Sequence, residues 1–400
     1  MFIMGRCPIP ICRDSRDWTM MKPDCEADAM ACVADAAARG RKLALAGAGS
    51  KSAFGAPTDS DLLCLAALSG VVAYDPAELV LTVKPGTPLT EIQALVATER
   101  QMLAFDPFDH GPIYGSPAGA ATIGGVVAAG AAGSRRLSAG SARDHLLGLR
   151  AVSGRAELFI AGGKVVKNVT GFDLPKLAAG SWGRLFAMTE LTLKVLPRPE
   201  TSETLVLVGL EGERAISAMA AAMGSQAEVA AAAHRPAAGN APALTALRLE
   251  GFEPSVAARV KLLSRMLAGH GAVDRLPVEA ADGFWSDMRT LAPLGPDRAL
   301  WRINIPPSAG AKLVEGLAAQ GADWMLDWAG GLAWVAFDGG PALVRAHAQR
   351  AGGHATLLRA APQLRREVPA FHPASPGLSA LEQRVRRAFD PMGVFETGRF

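Results

Sequence analysis

The first stretch whose residue types could do chemistry is Gly47-Ala48-Gly49-Ser50-Lys51-Ser52, which directly follows the apolar run Leu43-Ala44-Leu45-Ala46. Small residues after a buried strand let successive backbone N–H groups converge on an anionic oxygen, with the Ser50 hydroxyl and the Lys51 charge to help. Two phosphate signatures are approached and neither is met. A dinucleotide fingerprint needs a third glycine where Ser52 stands, and a P-loop needs glycine directly before its lysine, where Ser50 stands. A plain tight turn is the alternative reading. An exposed Lys51 is expected to add little beyond the nest itself.

A second constellation runs from Gly115 and Ser116 through Gly119, Thr122, Ile123, Gly124 and Gly125 to Gly130 and Gly133. So little side-chain bulk lets backbone approach a large flat or charged ligand, and a bulky residue at Gly124 or Gly125 is expected to block that approach. Close packing of two backbone segments is the competing explanation. In the third, polar groups from Lys164 to Asp173 precede the Gly180-Ser181-Trp182-Gly183 turn, which feeds an alternating strand ending at Pro197. Arg135 and Arg136 are candidates for clamping a carboxylate bidentately, although solvated charges at a loop end are the favoured reading. His110 is expected to be a loop histidine satisfied locally.

These residues need scaffolding. A helical pattern starts near Asp24 and stops at Gly40, and 42–46 reads as a buried strand. A second strand, 78–84, closes at Pro85-Gly86, and the next helix follows from Pro88 to Arg100. Strands are expected near 147–152, 158–161 and 185–195. Residues 111–134 are long and uncharged enough to suggest a membrane span, but Pro112, Pro117 and the Gly/Ala content argue for a loop system packed against something bulky.

Pro197 and Pro199 mark a boundary. Beyond it come strand 204–209, helix 213–223, strand 246–250, helix 256–267 and strand 272–276. A second set follows: strand 300–305, helix 310–320, a hairpin through 324–338 turning at Gly330-Gly331, and helix 342–352. This repetition predicts a ferredoxin-like α+β unit. The stretch 222–243 is rich in Ala, Gly and Pro and reads as a mobile excursion. Alternation puts Trp324, Leu326 and Trp328 on one strand face, so these tryptophans, with Trp285, Trp301 and Trp334, are expected in a core rather than on a subunit surface.

With 400 residues, the chain is long enough for two to three packed units. Lys and Arg total 41 against 38 for Asp and Glu, a balance that excludes a dedicated nucleic-acid binder. Five cysteines, clustered towards the start, suit a reducing compartment better than a disulfide framework or a zinc site, and no metal site is expected. No signal peptide is expected in MFIMGRCPIPICRDSRDW, because charges surround a very short apolar stretch.

Taken together, the three constellations resemble the FAD-binding domain of the vanillyl-alcohol-oxidase (PCMH-type) flavoproteins. The similarity is closest to the FAD-binding subunits of bacterial glycolate oxidase complexes and extends from about Met21 to the closing Asp390-Pro-Met-Gly-Val-Phe and Gly398-Arg399. The resemblance implies an α+β fold: a two-lobed FAD-binding domain over 21–200, a ferredoxin-like cap over 201–360, and a helix and tail over 361–400 returning to the FAD-binding domain. Residues 1–20 are expected to form a disordered extension. It also implies that Gly47, Ala48, Gly49, Ser50 and Lys51 hold the FAD pyrophosphate and that Thr122, Ile123, Gly124, Gly125 and Gly133 line the flavin. Pro85, Gly86, Ser116, Gly183 and Ala187 are implied as further cofactor contacts, and Lys167–Leu174 and Gly180–Gly183 as family motifs.

Two departures refine the expectation. Ala46–Gly55 contains no His or Cys, so the FAD is expected to be dissociable rather than covalent. The His-x-Gly-Asp-Gly-Asn-x-His run of the related catalytic subunits is missing; Gly239-Asn240 is the only Gly-Asn pair, with His234 nearby. No catalytic residue is assigned. The resemblance therefore implies a cytoplasmic subunit that reaches the inner membrane, if at all, through its complex. Its implied partners are a catalytic FAD subunit and an iron–sulfur subunit, which together oxidise a small 2-hydroxy acid such as glycolate. A self-sufficient 2-hydroxy-acid dehydrogenase using Arg135 or Arg136, and a scaffold that has lost its cofactor, remain as rivals.

Overall fold

A computed structural model describes residues 11–13, 19–164 and 171–400. The chain opens with β1 (Ile11–Arg13), β2 (Thr19–Met21), α1 (Glu26–Ala38), β3 (Leu43–Ala46) and β4 (Asp61–Cys64), and the strands form one sheet in the order β1-β2-β4-β3. Part of the expected disordered extension therefore pairs as a strand, Ile11 opposite Met21. Helix α1 buries Ala29, Cys32, Val33 and Ala36 on this sheet, with the Cys25 side chain capping its first turn.

The second lobe contains β5 (Val71–Asp75), β6 (Val80–Val83), α2 (Leu89–Thr98), β7 (Gln101–Met102), α3 (Ile123–Ala129), α4 (Arg136–Ala139), α5 (Ala142–His145), β8 (Leu146–Ser153), β9 (Leu158–Gly162), α6 (Leu174–Ala178), β10 (Phe186–Lys194) and β11 (Leu196–Pro197). Its five-stranded sheet runs β5-β6-β10-β8-β9, and β7 pairs with β11. The region expected to be only loop, 111–134, holds α3. Thr122 caps that helix, its hydroxyl accepting the Gly125 N–H, and Gly130 ends it in the left-handed conformation at φ 62°. The apolar residues Ile123, Val126 and Val127 are buried, so this helix is a packed core element despite its two glycines.

The cap follows as β12 (Thr201–Val208), α7 (Gly212–Met223), β13 (Ala231–Arg235), β14 (Leu244–Gly251), α8 (Glu253–Met266) and β15 (Val273–Arg275). After the linking α9 (Val278–Thr290) come β16 (Leu300–Asn304), α10 (Gly310–Ala318), β17 (Asp323–Asp327), β18 (Leu332–Ala336), α11 (Pro341–Arg350) and β19 (His354–Arg359). All eight strands form one sheet, β15-β12-β14-β13-β17-β18-β16-β19. Each half is a β-α-β-β-α-β unit with the ferredoxin-like strand order, and the halves meet edge to edge where His234 opposes Leu326.

The expected mobile excursion thus contains β13, a fully paired strand at the centre of the sheet. Its sequence, Ala-Ala-Ala-His-Arg, reads as low complexity, yet alanine is what the position needs: Ala231 and Ala233 pack directly against the first domain, and bulkier residues would hold the layers apart. One face of the sheet buries Leu247, Trp301, Leu326 and Val335 under α7, α8, α10 and α11. The other presents Ala246, Leu300, Met325 and Trp334 to a core shared with Phe105, Ile123 and Leu191 of the first domain. The tryptophans are core residues as expected, although Trp328 lies in a turn beyond β17 and packs in the opposite cluster from Leu326.

The chain closes with α12 (Pro362–Glu367), α13 (Pro376–Phe389) and a tail that returns to the first domain. The tail carbonyl of Val394 accepts the Leu43 N–H at 2.7 Å, and Arg399 donates to the carbonyls of Lys51, Ser52 and Phe54. No helix among the described residues is long and apolar enough to cross a membrane.

Candidate functional site

A cleft of about 1150 Å³, counted to its open mouth, is bounded by β3 and its glycine turn, the start of α3, the 182–188 stretch and the C-terminal tail. At its floor the turn after β3 leaves the backbone N–H groups of Ala48, Gly49, Ser50 and Lys51 without partners among the described residues; Ser52 N–H alone closes the turn, on Gly49 O at 2.9 Å. Unpartnered N–H groups converging beside a cation form an anion cradle. Gly49 holds φ 78°, where a side chain would be strained, and nothing stands in front of it.

Lys51 supplies the cation. It forms no ion pair among the described residues, and burial pulls its ammonium down to about 8, only partly offset by the field of Asp109. Its Nζ lies 3.7 Å from where a side chain on Gly125 would begin, so the charge sits over the start of α3. It is therefore half-buried, not the freely solvated charge the sequence suggests, and an anion here would face less screening than at the surface. A diphosphate matches this donor set.

Aromatic residues close the far wall. Phe54 stacks on Trp182 at 3.9 Å, with Phe400 5.3 Å from Phe54. Trp182 holds φ 55°, uncommon for a bulky residue, and its N–H is fixed on Ala128 O at 2.8 Å. Gly183, at φ 70°, meets Leu45 of β3. The Gly180–Gly183 turn is thus strapped to the C-terminal end of α3 on one side and to β3 on the other.

Residues 19–162 match the FAD binding domain family. Across 361 residues the chain is 36% identical to glycolate oxidase subunit GlcE of Escherichia coli (strain K12), covering 89% of this chain and 92% of that protein. It belongs to the GlcE family. Glycolate oxidase subunit GlcD of Bacillus subtilis (strain 168) is 33% identical over 151 residues, which is 38% of this chain and 30% of that one. Among solved structures, p-cresol methylhydroxylase with substrate bound superposes with a TM-score of 0.71 at 13% identity, covering 95% of this chain and 88% of that one. Alkyldihydroxyacetonephosphate synthase gives 0.65 at 14% identity, covering 94% and 76%. These two likenesses are of fold.

Within this GlcE-family chain the expected cofactor residues separate into two groups. Gly47, Ala48, Gly49, Ser50, Lys51, Pro85, Thr122, Gly124, Gly125 and Gly183 line the cleft. Gly86, Ser116, Ile123, Gly133 and Ala187 do not. The Ile123 and Ala187 side chains are fully buried in the core, and the Gly133 N–H is spent on the carbonyls of Phe105 and Asp106. Glycine serves packing at several positions: a Cβ on Gly86 would strike the Leu65 carbonyl at 2.5 Å, one on Gly47 would overlap Thr122 Oγ1, and one on Gly133 would overlap Asp106. Gly124 also belongs here, since its Cβ would stand 2.6 Å from Pro85 Cβ rather than in the open cleft. Of the Lys167–Leu174 motif, residues 165–170 lie outside the described residues; Asp173 caps α6.

Arg135 is neither the carboxylate clamp considered for it nor the solvated loop-end charge favoured over that. Its guanidinium is bidentate on Glu250 of β14, at 2.8 and 2.6 Å, and reaches Asp106 at 3.6 Å. Arg136 lies over the Trp328 ring, 4.4 Å from its centroid. His110 is buried with its Nδ1 unpartnered, not satisfied locally. His234 is buried in β13 with Nδ1 on Thr245 Oγ1 at 2.9 Å, far in sequence logic from a catalytic pair, and burial pulls it down to about 4. Sequence reasoning missed Trp182, Thr397, Arg399 and Phe400 as cleft residues; the Gly-Ser-x-Gly turn and the closing Gly-Arg-Phe are the signals that contained them.

Proposed function

We propose that the chain binds FAD non-covalently in this cleft, with the pyrophosphate on the 47–51 turn and Lys51, and serves as the FAD-binding subunit of a glycolate oxidase assembly. The observation that carries the reading is the cradle of N–H groups without partners among the described residues, beside a half-buried lysine that pairs with none of them, in a chain of the GlcE family. FAD, when bound, supplies hydride and electron transfer. This chain's residues hold its phosphates, present Gly49 and Gly125 as surfaces without side-chain bulk, and close the cleft with Trp182 and Phe400. No cysteine among the described residues lines the cleft, which supports dissociable binding.

Partners follow from the same reading. A catalytic FAD subunit and an iron–sulfur subunit take the electrons onward, because the cysteines here lack the spacing of a cluster site. The free thiols of Cys25, Cys32 and Cys64 suit a cytoplasmic setting. Purification of the tagged chain from its native host, with flavin and iron quantified in the eluate, tests this. Co-elution of both with a second flavoprotein is expected; a chain that elutes alone and free of flavin contradicts the reading.

A further inference from the structure

The cation at the floor of the cleft is an amine, and an amine can be a nucleophile. Lys51 Nζ lies over the first turn of α3: a side chain on Gly125 would begin 3.7 Å from it and 3.3 Å from Thr122 Oγ1. Gly47, where the glycine turn begins, packs against the same Thr122 side chain. The start of the turn and the Lys51 amine thus converge on one turn of helix. Between them stand the N–H groups of Ala48, Gly49, Ser50 and Lys51, without partners among the described residues. All of 47–51 lines the open-mouthed cleft, so a small molecule reaches the N–H groups and the amine together.

No carboxylate among the described residues claims the amine. Asp109, whose field reaches it, is occupied in accepting the N–H groups of Gly111 and Gly119 at 2.8 and 2.9 Å. His110 is kept neutral, first by burial and then by the charges of Lys51 and Arg302. Arg399 meets Lys51 at its backbone, donating to its carbonyl at 3.0 Å. Burial brings the ammonium from 10.5 down to about 8, so a sizeable share is neutral amine at about pH 7.5, against about one part in a thousand for an ordinary lysine. A desolvated lysine of this kind is an activated nucleophile.

We propose that in the flavin-free chain Lys51 is a site of acylation by acyl phosphates, the 48–51 N–H groups holding the reagent's phosphate while Nζ attacks its acyl carbon. A C–N amide bond forms and the bond from the acyl carbon to the phosphate oxygen breaks. That oxygen leaves with the electron pair as inorganic phosphate, and the proton lost from nitrogen passes to the phosphate or to water. The cradle stabilises the charge that develops on the leaving oxygen. The reagent's own charge favours the ammonium, but the N–H groups hold phosphate whether or not Nζ is protonated, so the neutral fraction attacks from within the complex. Acyl thioesters of coenzyme A do not meet this geometry, because a long pantetheine arm separates their diphosphate from the acyl carbon.

The product amide carries no charge and fills the space beside the cradle, so an acylated chain loses FAD binding. This rests on the proposed function in taking the 47–51 turn as a phosphate cradle, and it adds a regulation of that site: bound flavin shields Lys51, and acylation before loading keeps the subunit empty.

Site-resolved mass spectrometry of the full flavin-free chain treated with acetyl phosphate tests the proposal, with Lys261 of α8 and Lys312 of α10, both exposed, as reference amines. Lys51 should be acetylated about tenfold faster than either. Acetyl-CoA should show no such preference. Inorganic pyrophosphate, or FAD loaded beforehand, should slow Lys51 and leave the reference lysines unchanged. FAD binding should fall in proportion to Lys51 acetylation, whereas Lys51→Arg should bind after treatment whatever FAD it binds before. Lys51 acetylated no faster than the references, favoured equally by acetyl-CoA, or indifferent to pyrophosphate overturns the proposal. Pyrophosphate that protects Lys51 where FAD does not supports the acylation site and overturns the FAD reading.

Discussion

At the scale of single residues, Lys51 decides how the cleft treats an anion. Its ammonium titrates near 8 while no anion is beside it, and a bound phosphate favours the charged form and raises that value. Binding therefore takes up a proton above pH 8: affinity for FAD is full below about 8 and falls as pH rises through it, by about tenfold at pH 9. Lys51→Met should flatten this profile and cost about 1.5–3 kcal/mol of binding at pH 7, the range for a hydrogen bond to a charged group. Fluorescence titration of FAD at pH 7 and pH 9 reads both effects.

The two adjacent glycines of α3 separate packing from ligand space. Gly124→Val would drive its Cβ into Pro85, so it should lower stability by about 1–3 kcal/mol whether or not FAD is present. At Gly125 the nearest obstacles are Thr122 Oγ1 at 3.3 Å and Lys51 Nζ at 3.7 Å, beyond which lies the open cleft. Gly125→Val should keep the melting temperature of the apo chain and lose FAD. Equal flavin loss and equal destabilisation in both variants would contradict this division. The glycine-dense composition reads correctly from sequence as close approach, but which glycines approach a ligand and which approach Pro85, Leu65 or Asp106 depends on chain segments far apart in sequence.

At the scale of elements, one carboxylate shapes the turn from which the tail returns to the first domain. Asp390 is buried, caps the turn after α13 by accepting the N–H groups of Val394 and Phe395 at 2.8 and 2.7 Å, and packs against Gly154. Removing it leaves those donors unpaired, so Asp390→Ala should destabilise by about 1–3 kcal/mol and loosen Arg399 and Phe400 at the cleft mouth. Hydrogen exchange at 393–400, faster than in the parent chain, would show it. Most strands and long helices were legible, because β10 and β14 carry apolar runs and α7 and α10 the helical spacing. Of the elements not read from the sequence, α3 hides behind Gly124 and Gly125 and β13 behind a run of alanines, both being elements whose small residues serve packing against a neighbouring domain, whereas β4, β5, α9 and β19 have ordinary composition and were missed without that reason.

For the whole molecule, the decisive feature is how the cap sheet sits on the FAD-binding domain. Its alanine-lined centre lets the two layers share a core, and Arg135 of the first domain is locked to Glu250 of β14. Both side chains are largely buried, so a double-mutant cycle of Arg135→Ala and Glu250→Ala in chemical unfolding should return a coupling of about 1–3 kcal/mol. Additive losses would mean that the pair does not join the domains. The sequence favoured a solvated charge at Arg135, with a ligand clamp as the alternative, since the chain alone cannot show that a glutamate 115 residues on would claim it.

The account stands on FAD filling the cleft above the 47–51 turn. The most direct measurement is the visible absorption spectrum of the purified chain after incubation with FAD and desalting, followed by acid precipitation. A flavin spectrum at one FAD per chain, released entirely into the acid supernatant and reduced to a small fraction in Gly125→Val, is the predicted result. A folded chain that remains colourless after incubation, or an equally yellow Gly125→Val variant, contradicts it.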